Sequence, residues 1–266
     1  MKKSNPIGIF DSGLGGLTVV KQIQKLLPQE NIIYYGDTAR VPYGSKSKDT
    51  IIKFTREAVN FLKSHNAKCI VIACNTASAL ALPVVRNEFE IPMIGVIKPG
   101  ARAAAKKSKS GKIGIIATTA TINSDAYTNA IREINNSVTV YSQPCPLFVP
   151  LVEEGWGDKP AAKLIIQEYL TPLKTARVDT LVLGCTHYPL LAKQIQQFVS
   201  DDVALVDSAT TCANDLKLLL EKENLLANNE FAESTFFVTD MAARFSELGA
   251  KFLGKTLNAI KVVGNE

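Results

Sequence analysis

Histidine is scarce in this sequence, and several familiar motifs are missing from it. The two histidines are His65 and His187, and the five cysteines contain no C-x-x-C pair. A zinc site of ordinary ligand spacing is therefore not expected, nor is a dithiol redox motif. No apolar run approaches the roughly 18–20 residues that span a bilayer, and MKKSNPIGIFDSG carries no secretory h-region. The chain is thus expected in the cytoplasm, away from membranes. GLGG at Gly13–Gly16 lacks the full G-x-G-x-x-G spacing of a dinucleotide loop, and no Walker lysine follows it. These glycines read instead as a tight turn bringing backbone N–H groups to an anion, a carboxylate in the first place. An odd number of cysteines in such a chain argues against a disulfide framework. Net charge is only +5. The patch Arg102, Lys106, Lys107, Lys109 and Lys112 reads as a solvated helix face and turn, so no nucleic-acid partner is expected.

What remains is an ordinary globular composition, with 46% hydrophobic and 21% charged residues over 266 positions, which excludes disorder and fibrous folds. Short apolar runs alternate with stretches of helical period. Strands are expected at Ile7–Phe10, Asn31–Gly36, Cys69–Ala73, Ile91–Val96, Lys112–Ala117, Ser137–Ser142, Thr180–Gly184, Ala204–Asp207 and Thr235–Val238. Helices fall between them, for example one carrying Val20, Ile23 and Leu27, one over Asp49–His65 and one over Asn214–Leu225. Asn123 and Ser124 are expected to cap the helix of DAYTNAIREI, and Pro189 to open that of PLLAKQIQQFV. Strands apolar on both faces and separated by helices indicate a doubly wound α/β fold with mainly parallel sheets.

An internal echo refines this. IGIFDSG at Ile7–Gly13 resembles IGIIATT at Ile113–Thr119, and at the same offset Tyr35-Gly36 falls on Tyr141-Ser142. CIVIACNT ends in Cys74-Asn75-Thr76, and TLVLGCTH ends in Cys185-Thr186-His187. Two pseudo-symmetric α/β domains are expected, with the active site in the cleft between them. Residues 1–97 plus 208–266 would form the first and carry Cys74, and residues 98–207 the second and carry Cys185. The boundary falls near Ile97–Lys106, and the tail after Asp207 returns to the first half.

Ligands of open α/β sheets bind outside the carboxyl ends of the strands. Those ends hold Asp11-Ser12, Asp37, Cys74-Asn75-Thr76, Thr118-Thr119 and Cys185-Thr186-His187. Cys69 opens a buried strand and reads as core, as do Cys145 and Cys212. Either Cys74 or Cys185 alone could also be packing. Their symmetric placement, each before the start of a helix whose positive end favours thiolate, points to a pair of general acid–base groups. One thiolate would remove a proton from a carbon acid while the facing thiol delivers one to its other side. Backbone N–H groups and the hydroxyls of Ser12, Thr76, Thr118, Thr119 and Thr186 would hold the developing charge. His65 reads as structural at a helix end. His187 either assists proton transfer or caps the next helix.

GIFDSGLGGLTV, GDTARVPYG, ACNTASA and GCTHYPLL, in that order, resemble the glutamate racemases of the bacterial aspartate/glutamate racemase superfamily. The resemblance runs from about residue 7 to about 208 and more weakly through the tail. It implies that Cys74 deprotonates D-glutamate and Cys185 deprotonates L-glutamate, that Asp11 assists proton transfer, and that no pyridoxal phosphate or metal is needed. It further implies substrate binding by Asp11, Ser12, Tyr43, Gly44, Asn75, Thr76, Thr186 and His187, and an auxiliary acid in LVEEG, with Glu153 favoured over Glu154. D-Glutamate for peptidoglycan and a homodimer complete what the family suggests. Only six residues precede Ile7, so activation by a peptidoglycan precursor, which some members bind through an N-terminal extension, is not expected. The alternatives are an aspartate racemase of the same superfamily, a non-catalytic two-lobed anion-binding protein, and a thiol-redox protein.

Overall fold

The computed structural model describes residues 2–257 and 259–263. The expected domain ends at residues 1 and 264–266 lie outside that range, as does residue 258. Ten strands run among the described residues: β1 (Ile7–Asp11), β2 (Ile32–Gly36), β3 (Cys69–Ile72), β4 (Met93–Gly95), β5 (Lys112–Ala117), β6 (Thr139–Pro144), β7 (Thr180–Gly184), β8 (Ala204–Asp207), β9 (Ser234–Val238) and β10 (Ile260–Val262). Twelve helices connect them: α1 (Leu17–Leu26), α2 (Lys48–Ser64), α3 (Asn75–Leu80), α4 (Leu82–Val85), α5 (Ile97–Lys107), α6 (Thr119–Asn123), α7 (Ala126–Ile134), α8 (Phe148–Glu153), α9 (Pro160–Thr175), α10 (Ala192–Val199), α11 (Ser208–Lys222) and α12 (Ala242–Leu253).

All pairings are parallel, in two sheets of order β10-β9-β2-β1-β3-β4 and β6-β5-β7-β8. Without β9 and β10 the two orders are the same, each with its first strand between its second and third. The chain is α/β, as its pattern of two-faced apolar strands predicts. The tail does rejoin the first sheet, through β9 against β2.

The internal echo holds in register for the third strands but not for the second. Cys69 lies opposite Ile7, and Thr180 lies opposite the equivalent Ile113, so Cys74 and Cys185 are true counterparts. Tyr35 lies opposite Phe10, whereas Gln143, not Tyr141, lies opposite the equivalent Ile116. The match of Tyr35 with Tyr141 is therefore two residues out of register. Pairing with the first strand sets the register here, and the connections before the second strands differ in length.

Alternation along the strands feeds separate cores. Cys69, Val71 and Ala73 face a cluster that runs through both halves with α1, α11 and α12, while Ile70, Ile72 and Cys74 face the cluster beneath α2. Leu181, Leu183 and Cys185 join the shared cluster, and Val182 packs with α5 and α7. Cys69, Cys145 and Cys212 are fully buried in the shared cluster, as expected of packing residues.

Local chemistry moves some helix ends. Ser124 ends α6, and α7 begins after Asp125 in a left-handed conformation, with no side-chain cap of its own. Asn123 therefore caps nothing. The Ser124 hydroxyl does accept from Ala126 N–H at 3.2 Å. Pro189 opens only a 3₁₀ turn, Tyr188–Leu191, before α10. Helix α11 starts at Ser208, earlier than its apolar pattern suggests, because the Asp207 carboxylate accepts from Ala209 N–H.

At the amino end of β3, Lys68 and Glu30 form an ion pair without solvent access. The Lys68 ammonium also donates to the Lys3 carbonyl at 2.6 Å, and the other Glu30 oxygen accepts from Ala227 N–H at 2.8 Å. The pair thus fastens the amino-terminal segment, the turn before β2 and the tail to the base of the first sheet. Removing one partner of a buried pair strands the other charge at a cost of about 3–5 kcal/mol. Glu30→Ala should lower the melting temperature by roughly 10 °C, and Glu30→Leu with Lys68→Met should recover most of that. Calorimetry giving a parental melt for Glu30→Ala would show that the pair anchors nothing.

Candidate active site

The carboxyl ends of β1, β3, β5 and β7 converge on one small cavity. Ser12, Tyr43, Gly44, Cys74, Asn75, Thr76, Thr118, Cys185, Thr186 and His187 line it, with Val41, Pro42 and Val149 closing its outer side. Its volume is about 30 Å³, room for two or three waters at about 10–15 Å³ each and none for an amino acid. Beyond Val41, Pro42, Gly44, Thr118 and Val149 opens a groove of about 690 Å³, which also reaches Glu153 and Glu154. A ligand of amino-acid size reaches the inner cavity only when this shared wall moves.

Two expected binding residues are not at the inner cavity. Thr119 is exposed and lines the outer groove alone, because its partner Thr118 takes the N-cap position of α6 and turns inward. Asp11 is fully buried behind the cavity wall. Its carboxylate accepts from Gly13 N–H at 3.0 Å and from the Thr186 hydroxyl at 3.5 Å, and the nearby Gly16 amide favours its charge. The anion held by the glycine turn is thus the chain's own carboxylate. Burial raises the Asp11 pKa, opposed by the nearby His187 charge and these amides. The glycines are needed for close approach. A Cβ on Gly15 would lie 2.4 Å from Thr186 Oγ1 and 2.5 Å from His187 Nδ1, and one on Gly16 would lie 2.5 Å from Asp11 Cβ.

The two thiols have unlike surroundings. Cys74 caps α3, and its Sγ–H donates to Ser12 Oγ at 3.4 Å. Burial pushes the Cys74 thiol up to about 12, the negative Asp11 adds to this, and the Ser12 hydroxyl and Ala77 amide only partly offset it. The short helix does not make this thiol ionise; desolvation outweighs its dipole. Cys185 heads a tight turn rather than an α-helix, with a 3₁₀ turn beginning at Tyr188. Its Sγ lies 3.9 Å from His187 Nδ1. His187 Nε2 lies 3.0 Å from Glu153 Oε1. Burial alone would lower the His187 pKa, but the Cys185 sulfur and the Glu153 carboxylate raise it to about 10. At neutral pH this imidazolium sits between the two, and the His187 side chain makes no cap bond to the next helical turn.

Of the adjacent glutamates, Glu153 turns to His187, and Glu154 pairs with Arg244 of α12 at 2.7 Å. Tyr43 is fixed from behind by Asp37, which accepts from its hydroxyl. Asp37 also binds Arg40 at 2.8 Å and Thr239 at 3.2 Å. Thr76, Thr118 and Thr121 form a triangle of hydroxyls at 3.0, 3.1 and 3.0 Å. Asn75 Nδ2 is buried without a partner. Sequence reasoning passed over Arg40 and Thr121; the position of Thr121, one turn after Thr118 at a helix start, was the only available signal.

One sulfur from each sheet, in a small cavity rich in hydroxyls and amides, is an arrangement suited to proton transfer at a carbon held between them. The sequence profile of the Asp/Glu/Hydantoin racemase family matches residues 8–216. The chain belongs to that family. A glutamate racemase from Chlorobaculum tepidum is 50% identical over 99% of this chain and 98% of its own length. The structure of a Bacillus anthracis glutamate racemase isoform superposes with a TM-score of 0.95 at 40% identity, covering 98% of both chains. That of the Francisella tularensis glutamate racemase in complex with D-glutamate gives 0.93 at 41% identity, again over 98% of both.

With only two histidines in the chain, ¹⁵N spectra can follow His187 directly. Its imidazolium should persist through neutral pH and lose its proton near about 10. Glu153→Gln removes a charge that holds the proton, so the midpoint should move down. A neutral His187 ring at pH 7 would contradict this electrostatic picture.

Proposed function

We propose that the protein interconverts L- and D-glutamate by proton transfer at Cα between two thiols, with no cofactor. The observation that carries this reading is the pair Cys74 and Cys185, at equivalent strand ends of two similar sheets and facing one cavity. The identity with proteins named glutamate racemase, near half over the full length, favours glutamate over aspartate.

In the L-to-D direction the Cys185 thiolate takes the α-proton, and the electron pair passes into the α-carboxylate. The Cys74 thiol then gives its proton to the opposite face. The product is D-glutamate, with Cys185 now a thiol and Cys74 a thiolate, and the proton on Cys185 must pass back to Cys74 before the next L substrate. In the D-to-L direction the roles exchange. A thiol pushed up to about 12 is protonated at rest, as the acid step requires, and its conjugate thiolate is a strong base toward a weakly acidic C–H.

Ser12, Tyr43, Gly44, Asn75, Thr76, Thr118 and Thr186 hold the substrate carboxylates and ammonium. His187 with Glu153 stabilises charge at Cys185, and Asp11 stands behind the Cys74 side as an auxiliary. Thr119 stays at the mouth of the groove. Residues 1–97 with 208–266, and 98–207, act as two domains whose separation admits substrate. A homodimer in the cytoplasm that supplies D-glutamate for peptidoglycan completes the proposal.

Circular dichroism of L-glutamate with the purified protein in deuterium oxide, no cofactor added, should decay to zero as deuterium enters Cα of the product. An unchanged signal would sink the reading, and decay with aspartate instead would transfer it to that substrate.

Cys74→Ala and Cys185→Ala should each abolish racemisation in both directions, because each direction needs both sulfurs. Residual Cα deuterium exchange should be confined to L-glutamate in Cys74→Ala and to D-glutamate in Cys185→Ala. Exchange into both enantiomers by either variant would rule out one base per face.

A further inference from the structure

Tyr127 has no part in the chemistry above, yet its hydroxyl touches a residue that does. It stands in the first turn of α7 and is almost fully buried. The ring packs tightly: a Cβ on Gly100 of α5 or on Gly184 of β7 would come within 3.1 Å of it. From that position the phenol donates to Asn75 Oδ1 at 2.7 Å. Asn75 directly follows Cys74 and lines the cavity. Its Nδ2 is the buried atom without a partner. A primary amide has an accepting end and a donating end, so engaging the oxygen commits the NH₂ group to the other side.

The direction of donation is set by the amide oxygen. Asn75 Oδ1 can only accept, so the single phenolic proton lies on the hydrogen bond to it. A flipped Asn75 would present its oxygen to an incoming carboxylate, which repels it.

We propose that Tyr127 is a positioning residue for the reaction: it locks the Asn75 amide with its NH₂ group free to receive a carboxylate of the substrate. This rests on the assignment of Asn75 to substrate binding. The bond also joins a helix packed on the second sheet to the strand end carrying Cys74. The amide is therefore set correctly only when the two halves are in register.

A double-mutant cycle on glutamate turnover tests the proposal. Asn75→Ala should lower kcat/KM about 100-fold, the scale for losing one donor to developing charge. Tyr127→Phe keeps the ring and should lower kcat/KM roughly 10-fold, mainly through KM, while melting close to the parent. In the Asn75→Ala background the same change should cost nothing further. Tyr127→Met, flexible enough to fill the same space without a hydroxyl, carries the cycle if Tyr127→Phe folds poorly. Full additivity, or parental kinetics for Tyr127→Phe beside an impaired Asn75→Ala, would overturn the positioning role alone. Parental kinetics for Asn75→Ala would overturn the binding assignment beneath it and the proposal together.

Discussion

The site is organised around a carboxylate that never meets solvent. Asp11 ends β1 at zero exposure, and a buried charge costs several kcal/mol unless its lone pairs are used. The glycine turn answers this from one side with the Gly13 and Gly16 amides, and Thr186 answers from the other half of the molecule. Satisfying Asp11 brings the turn against Thr186 and His187 so closely that Gly15 has no room for a side chain. The Thr18 hydroxyl adds a bond to the Thr186 carbonyl at 3.3 Å. The approach of the Cys185 turn to the first sheet thus follows from the needs of one anion.

Pseudo-symmetry places the two thiols, and departures from it make them different. The third-strand ends match residue for residue, yet Cys74 is followed by a helix and Cys185 by a turn. The Cys74 neighbourhood offers a hydroxyl and a negative charge; that of Cys185 offers an imidazolium backed by a glutamate. A symmetric pair would hold protons equally and leave the resting state undefined. Here burial and the Asp11 charge favour the proton on one sulfur, and a protonated ring stands beside the other.

Elements whose character depends on local burial were legible in the sequence. β5, β7 and β8 fall where their apolar runs predict, because a parallel strand covered by helices needs a mostly apolar run. β4 is shorter than its run, and β10 escaped notice as a short edge strand with exposed side chains. The strand-end residues were legible for the same topological reason that places ligands there. Side-chain contacts set by tertiary placement were not: the Asp37 clasp on Tyr43, the threonine triangle, the Tyr127 bond to Asn75 and the burial of Asp11 away from the cavity. Composition and spacing carry no trace of which side chain meets which across the two halves. The ionisation expected of the thiols failed on the same ground, since desolvation depends on everything packed around them.

The interleaving of the two sheets has a consequence for how the chain is made. The second sheet is drawn from one continuous stretch, β5 to β8, whereas the first needs β9 and β10, which leave the ribosome after all the others. During synthesis β2 therefore waits as an open edge while the entire second sheet is translated, and an unpaired parallel edge is a template for wrong partners. Helix α11, packed on both α1 and α5, emerges just before the missing strands and shelters part of the unfinished half. Nascent chains stalled before Ser234 would carry a complete second sheet and a first sheet open to chaperones, so the synthesis of β9 and β10 governs how much newly made protein reaches its native state.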